Sequence, residues 1–257
     1  TELFGYFNEF TKRFNETEVL RAMYDATYSE DVYTIVLDEM NIARVEYYFA
    51  EMLSILEMPS RDQWVVDLVP SGWPSDPKHV IKGRFRLPDN MWYVGTANND
   101  DSTFAISDKV YDRGMPININ SKAAPFDAPL TESLPINYKY LEGLFKQAQE
   151  EHKVSDLNLE KFEDMDNYVI EHFRLAFGNR IVKQLIEFVP VYVACGGTEI
   201  DGLDYVLCNK ILRKFESLNL AYIRDEVDDY IDYLNTTFGE ENMGECKDYL
   251  QRLKKLF

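Results

Sequence analysis

Cysteine is scarce in this chain: 257 residues contain only Cys195, Cys208 and Cys246. Their number is odd, their spacing fits no CxxC motif, and no histidine lies within four residues of any of them. That pattern argues against a disulfide framework or a zinc site and predicts free thiols in a reducing cytoplasm. Basic residues are also few, 27 against 45 acidic, for a formal net charge of −18. Such a surface repels a phosphate backbone, so direct nucleic-acid binding is not expected. No apolar run approaches the roughly 20 residues of a membrane span, and no charged-then-apolar leader opens the chain. The expectation is a cytoplasmic protein without a membrane segment. Internal repeats and low-complexity tracts are absent, and so is any GxxxxGK[ST] loop, whose backbone N–H groups and Lys would cradle phosphates.

What is present is apolar and aromatic. Hydrophobic residues make up 46% of the chain, with 17 Tyr and 16 Phe, enough to bury a core. The texture changes near residue 120. Before it, "VYTIVL" (32–37) and "MWYVGTA" (91–97) predict buried strands, and "PININ" (116–120) a third. A helix is predicted from Asn41 to Glu57, with Val45, Phe49, Met52, Leu53 and Leu56 on one face. Residues 61–90 predict an inserted hairpin, "QWVVDLV" and "VIKGRFRL" about "PSGWPSDP". It carries the one local basic cluster, Lys78, Lys82, Arg84 and Arg86 beside Trp64 and Trp73. Strand, helix, strand is the order of an α/β layer. Residues 1–120 are therefore assigned to an α/β core, 121–135 to a Pro-punctuated linker, and 136–257 to a bundle of five or six helices.

Two motifs carry chemistry. At the end of the first strand stand Asp38 and Glu39, where side chains of an open α/β sheet emerge into the ligand crevice. Adjacent residues of an extended chain point to opposite sides, so the pair divides its work. In phosphate-transfer sites one carboxylate holds Mg²⁺ and the other polarises the attacking water. The same pair also suits a helix N-terminus, where the macrodipole favours acidic side chains. The second motif, "YVGTANNDDSTFAISDKVYDRG" (93–114), is a strand that surfaces Thr96, Asn98 and Asn99 beside the same crevice. A helix is predicted from Ser102 or Thr103 to Gly114, delivering Arg113, a group able to stabilise phosphoryl charge in a neighbouring subunit.

In order and spacing these residues resemble a family. "VLDEMNIA" is similar to the Walker B motif of AAA+ NTPases, and the second motif to their sensor 1 strand and arginine-finger helix. The resemblance is nearest to the McrB-like clade, NTPase subunits of modification-dependent restriction systems, with the pattern DEhN, then GT-x-N-x-x-D, then D-x-A-L-R-R-R-F. Asp38, Glu39 and Asn41, then Gly95, Thr96, Asn98 and Asp101, then Asp108 and Arg113 occupy the matching positions. The resemblance implies an ATP or GTP hydrolase working as a homo-oligomeric ring, a hexamer, with a nuclease subunit as a possible partner. It implies a Mg²⁺-binding Asp38, a water-activating Glu39, a γ-phosphate-sensing Asn98, Arg113 acting in trans, and Asn41, Thr96 and Asp101 at the nucleotide. It also implies a helical lid over the C-terminal half.

The chain departs from the pattern in three places. Ser102 stands where an Arg often follows the clade's Asp, and "YDRG" leaves Arg113 as the single candidate finger. Neither Arg180 nor Arg213 sits in a recognisable sensor 2 motif, and solvated helix faces are expected for both. The phosphate-binding loop is missing, so the 257 residues read as the C-terminal part of a longer NTPase, inactive by themselves, with a small sheet of about three strands that rearranges or self-associates. A non-catalytic assembly or regulatory module is the alternative. His79, His152 and His172 are scattered and predicted at the surface, and "CGGTEIDG" predicts a turn at Gly196 and Gly197 with a cap at Thr198 or Asp201.

Overall fold

A computed structural model of the protein describes residues 3–98, 102–119, 122–218, 223–224 and 226–255. The chain is mixed α/β, with small parallel and antiparallel sheets and a helical C-terminal region. It divides into two compact units, Thr1–Gly114 with Asn118–Leu141, and Met115–Ile117 with Glu142–Phe257. No helix among the described residues is long and apolar enough to cross a membrane.

The first unit opens with an antiparallel hairpin, β1 (Gly5–Asn8) and β2 (Arg13–Glu16). Asn8 Oδ1 accepts from the Phe10 and Thr11 amides and holds its turn, an Asx-type closure. Helix α1 (Glu18–Ala26) follows at once because Thr17 caps it, accepting from Leu20 N–H while its own hydroxyl donates to Leu3 O. Strand β3 (Tyr33–Leu37) then pairs in parallel with β7 (Met91–Gly95), Tyr33 opposite Met91 and Leu37 opposite Gly95. Buried Asn90 sets where that pairing starts. Its Nδ2 donates to Ala26 O, Ser29 O and Asp31 O, and its carbonyl accepts from Tyr33 N–H.

One face of the pair, Tyr33, Ile35, Leu37 and Tyr93, packs on a core built around Met23, Met52, Phe85 and Leu87. The other face leaves Val36, Trp92 and Val94 exposed. Parallel sheets are ordinarily covered on both faces, whereas this pair has an exposed face within its unit.

Four expectations are corrected here. Residues 116–119 form no strand, and among the described residues the parallel layer has two strands, not three. The single helix expected from Asn41 to Glu57 is broken into a 3₁₀ turn (Met40–Ile42), α2 (Val45–Tyr48) and α3 (Ala50–Ile55). Phe49 lies between the helices at φ −107°, ψ 9°, outside helical geometry, while remaining buried. The inserted segment turns at Lys82–Gly83, with φ of 54° and 78°, not at "PSGWPSDP". Both residues take the positive φ that a two-residue hairpin turn demands, so "VIKGRFRL" is itself a hairpin of β5 (Val80–Ile81) and β6 (Arg84–Arg86). Strand β4 (Val65–Asp67) adds to its far edge. The helix expected from 102 to 114 is only α4 (Asp108–Tyr111).

The second unit is helical, as the periodicity predicts. Among the described residues its helices include α5 (Tyr138–Glu151, whose first turn belongs to the first unit), α6 (Asp156–Phe173), α7 (Asn179–Ala194), α8 (Glu199–Lys210), α9 (Glu226–Phe238) and α10 (Gly244–Lys254). Thr198 caps α8 as sequence chemistry predicts, Ser155 caps α6, and Gly196 at φ 96° makes the turn before α8. Helix α10 has no such residue. Its N-cap, Met243, is left-handed at φ 58° and offers no side-chain acceptor. Asp204, buried on α8, supplies the cap instead, its carboxylate accepting from Glu245 N–H at 2.8 Å and Cys246 N–H at 2.9 Å.

Aromatic rings fill the space between α6 and α9. Tyr168 stacks on His172 at 4.1 Å and on Tyr233 at 4.3 Å, and Tyr230 packs against Phe173 and Phe215. His172 is half-buried and bonded to Glu226 at 2.7 Å, which corrects the surface placement expected for it. Burial, with Asp229 and Glu226 nearby, pushes the Tyr168 phenol up to about 12. Burial also raises Tyr230 and Tyr249, the latter with its hydroxyl on Glu216.

Two outcomes are expected of the helical unit. Asp204→Ala is expected to destabilise it by about 2–3 kcal/mol in equilibrium unfolding, because two first-turn amides lose a charged acceptor, whereas Asp204→Asn keeps one acceptor and loses less. The phenol pKa values are raised by folding, so their contribution is fully present below the unfolded value of about 10 and is lost as pH rises through the folded value. Helical circular dichroism and tyrosinate absorbance recorded together are expected to change in one step above that pH. Full ionisation of these tyrosines with the helices intact would contradict this.

Candidate functional site

The two strand ends that carry the motifs lie side by side. The parallel register brings Leu37 opposite Gly95, and Thr96 N–H donates to Leu37 O at 3.0 Å. One step further the chain leaves extended geometry, with Glu39 in the left-handed region at φ 49°, ψ 46°. A non-glycine residue there costs about 1–2 kcal/mol. Thr96 offsets that cost. Its Oγ1 accepts from Glu39 N–H at 2.8 Å and donates to Asp38 Oδ1 at 2.6 Å, while its carbonyl accepts from Met40 N–H at 2.8 Å. A hydrogen bond to a charged carboxylate contributes about 1.5–3 kcal/mol, so these bonds outweigh the strain. The extended-chain expectation for Asp38 and Glu39 is thereby corrected: a turn at Glu39, not strand alternation, sets their directions.

Asn41 clamps the second loop onto the first. Its side chain is buried, with Nδ2 donating to Asn98 O at 2.8 Å and Phe104 O at 3.1 Å, while Phe104 N–H returns to Asn41 O. Its Oδ1 is buried with no partner among the described residues. Thr103 Oγ1 also donates to Asn98 O. The Asn98 carbonyl is thus held twice, and its side chain is exposed. Gly95 packs against the Met40 side chain, which would have to shift to admit a Cβ, since one would lie 2.1 Å from Met40 Sδ. Behind the turn, Tyr48 donates to Met40 O at 2.9 Å, and burial raises both its phenol and that of Tyr93.

Asp38, Glu39, Asn41, Thr96 and Asn98 are therefore gathered within two adjoining loops. Asp38, Glu39, Thr96 and Asn98 are all exposed. Arg113 is not among them. It lies just past α4, with Nε donating to Leu53 O at 2.9 Å, its guanidinium on the half-buried Glu57 carboxylate and on Lys109 O. Asp108 begins α4. Asp101 lies outside the described residues. Within the basic cluster of the insert, Arg84 pairs with Asp67, and Arg86 with Asp62 and Asp89. Sequence reasoning missed the role of Thr96 as the bridge between Asp38 and Glu39. The available signal was its place as the first residue after a strand that pairs with the Asp-Glu strand.

Oxygen donors dominate here: two carboxylates, a hydroxyl and an amide. That set suits Mg²⁺, which takes one or two carboxylates and fills its shell with water and phosphate oxygens. Among the described residues no group of three or more His, Cys, Asp or Glu is placed to hold a metal by itself. The three cysteines are free, with Cys208 and Cys246 buried. Compared with known protein families, curated proteins and solved structures, the chain matches none.

Thr96→Val keeps the shape of residue 96 and removes the bridge. The Glu39 amide is expected to exchange with solvent at least about tenfold faster in that variant, with Thr96→Ser close to the wild type, as read by NMR hydrogen exchange. Equal Glu39 protection in all three proteins would show that the bridge does not hold the turn.

Proposed function

We propose that the chain is the C-terminal part of an AAA+ nucleoside triphosphatase of the McrB-like type, comprising part of the α/β core and the helical lid. One observation carries this reading: the Thr96 hydroxyl joins the Asp38 carboxylate and the Glu39 amide at adjacent parallel strand ends, with Asn98 on the neighbouring loop. That juxtaposition is what phosphoanhydride hydrolysis requires of its protein groups, positioning and electrostatics with one base.

In this reading Asp38 would hold Mg²⁺, which would supply charge neutralisation at the phosphates of ATP or GTP. Thr96 aims the Asp38 carboxylate by donating to Oδ1. The Glu39 carboxylate, carried out of line by its left-handed backbone, takes the proton of the attacking water. Asn98 hydrogen-bonds that water or the γ-phosphate, and Asn41 fixes the loop that carries Asn98. The ring partner's phosphate would meet Arg113 only after its bonds to Glu57 and Leu53 exchange. The phosphate-binding loop must come from outside these 257 residues, as must the nucleotide-base contacts. A homo-oligomeric ring with a nuclease subunit belongs to the same proposal.

A second reading has one observation in its favour. Arg113 is already neutralised inside its own unit, as suits an assembly module that never hydrolyses nucleotide.

Turnover separates the two. In the protein that carries the phosphate-binding loop, Glu39→Gln is expected to lower ATP or GTP turnover by about a hundredfold or more while nucleotide still binds. The 257-residue chain alone is expected to show no turnover. Unchanged turnover in Glu39→Gln would refute the catalytic assignment and leave the assembly module.

A further inference from the structure

We propose that the cavity enclosed by the β1–β2 hairpin, helix α1 and the loop 68–80 is a binding site for a flat, apolar monoanion of the aromatic carboxylate class. Its volume is about 450 Å³, in the range of small-molecule sites. None of Asp38, Glu39, Asn41, Thr96 and Asn98 lines it.

The walls are apolar and locked. The hairpin contributes Phe7 and Phe14, α1 contributes Leu20 and Tyr24, and the fully buried Phe85 closes the floor. Trp73 comes from a turn closed twice over, Trp73 N–H on Asp76 Oδ2 at 2.8 Å and Asp76 N–H on Trp73 O at 3.0 Å. That loop is tied to the insert, since the Leu68 and Val69 amides both donate to Gly83 O. Gly72 packs so tightly there that a Cβ would lie 2.8 Å from Lys82 Cα. The Phe7 and Trp73 rings meet at 5.9 Å and 38°, which presents a broad aromatic surface without ordering cost on binding.

Charge at the cavity selects one negative group. Lys12 is paired with Glu9, and Arg21 with Glu16 and Glu18. Asp76 is turned onto its own loop. Arg13, which lines the cavity and is exposed, has no acidic partner among the described residues and presents a guanidinium whose five donors match a carboxylate. A neutral apolar ligand would leave that guanidinium unused. A triphosphate would bring several charges to one free cation beside Glu16 and Asp76. An aromatic body with one carboxylate satisfies both wall and rim.

The probes are 2-naphthoate, the neutral 2-naphthalenemethanol, and inorganic phosphate, titrated by calorimetry with two-dimensional amide NMR. Naphthoate is expected to saturate the wild type about tenfold more tightly than the alcohol, with phosphate not binding, because one charge-assisted contact is worth about that factor. Shifts are expected at Phe7, Leu20, Tyr24 and Trp73. Arg13→Gln, a surface change whose fold is checked by the same spectra, is expected to bind acid and alcohol alike. Leu20→Trp, filling the cavity, is expected to abolish both. No saturable naphthoate binding, an acid preference that survives Arg13→Gln, or shifts centred instead on Val36, Trp92 and Val94 would each overturn the proposal. None of these outcomes depends on nucleotide turnover.

Discussion

The parallel pairing of β3 with β7 is the constraint on which the candidate site depends. Two strands that run side by side in one direction cannot be closed by a tight turn, so a crossover must link them, and here more than fifty residues separate Leu37 from Gly95 before the chain returns to contact. A slip of one residue would exchange the buried and exposed faces. Asn90 opposes that slip from one end by binding three carbonyls. With the register held, Thr96 arrives over Asp38 and can bond both its carboxylate and the next amide. The strained backbone at Glu39 persists because these bonds over-determine it.

The helical unit solves a different problem by the same means, a polar side chain reaching across sequence to satisfy a backbone end. Helix α10 starts without a capping residue of its own, and Asp204 supplies the acceptor from α8. A carboxylate that deep is tolerable only because both oxygens are used. Elsewhere in the unit, stacked tyrosines take up the volume between α6 and α9, and burial raises the Tyr230 phenol.

Much of this was legible. The strands at 33–37 and 91–95 and the helices after residue 138 follow from unbroken apolar runs and from three-four spacing, signals that packing reinforces. The cap at Thr198 is local chemistry and was readable as such. The failures have physical causes. "PININ" has strand propensity, but a strand needs a neighbour, and Met115–Ile117 instead belong with the helical unit, where Tyr205 donates to Pro116 O. The helical pattern of 41–57 is real on its apolar face, yet Asn41 is drawn away to bind Asn98 and Phe104, and the helix begins only at Val45. Arg113 was read as free because sequence does not show that Glu57 lies beside it.

By itself the sequence determined which segments are apolar enough to be strands and helices, where local caps begin them, and which residue types stand at the strand ends. Those are properties of near neighbours, and near neighbours are what a sequence displays. The tertiary structure alone decided that Thr96 bridges Asp38 and Glu39, that Asp204 caps a distant helix, that Glu57 claims Arg113, and that Phe7 and Trp73 wall one cavity. Each of these joins residues about 40 to 66 positions apart, and only chain closure over such distances brings their groups within hydrogen-bonding or ring-contact range.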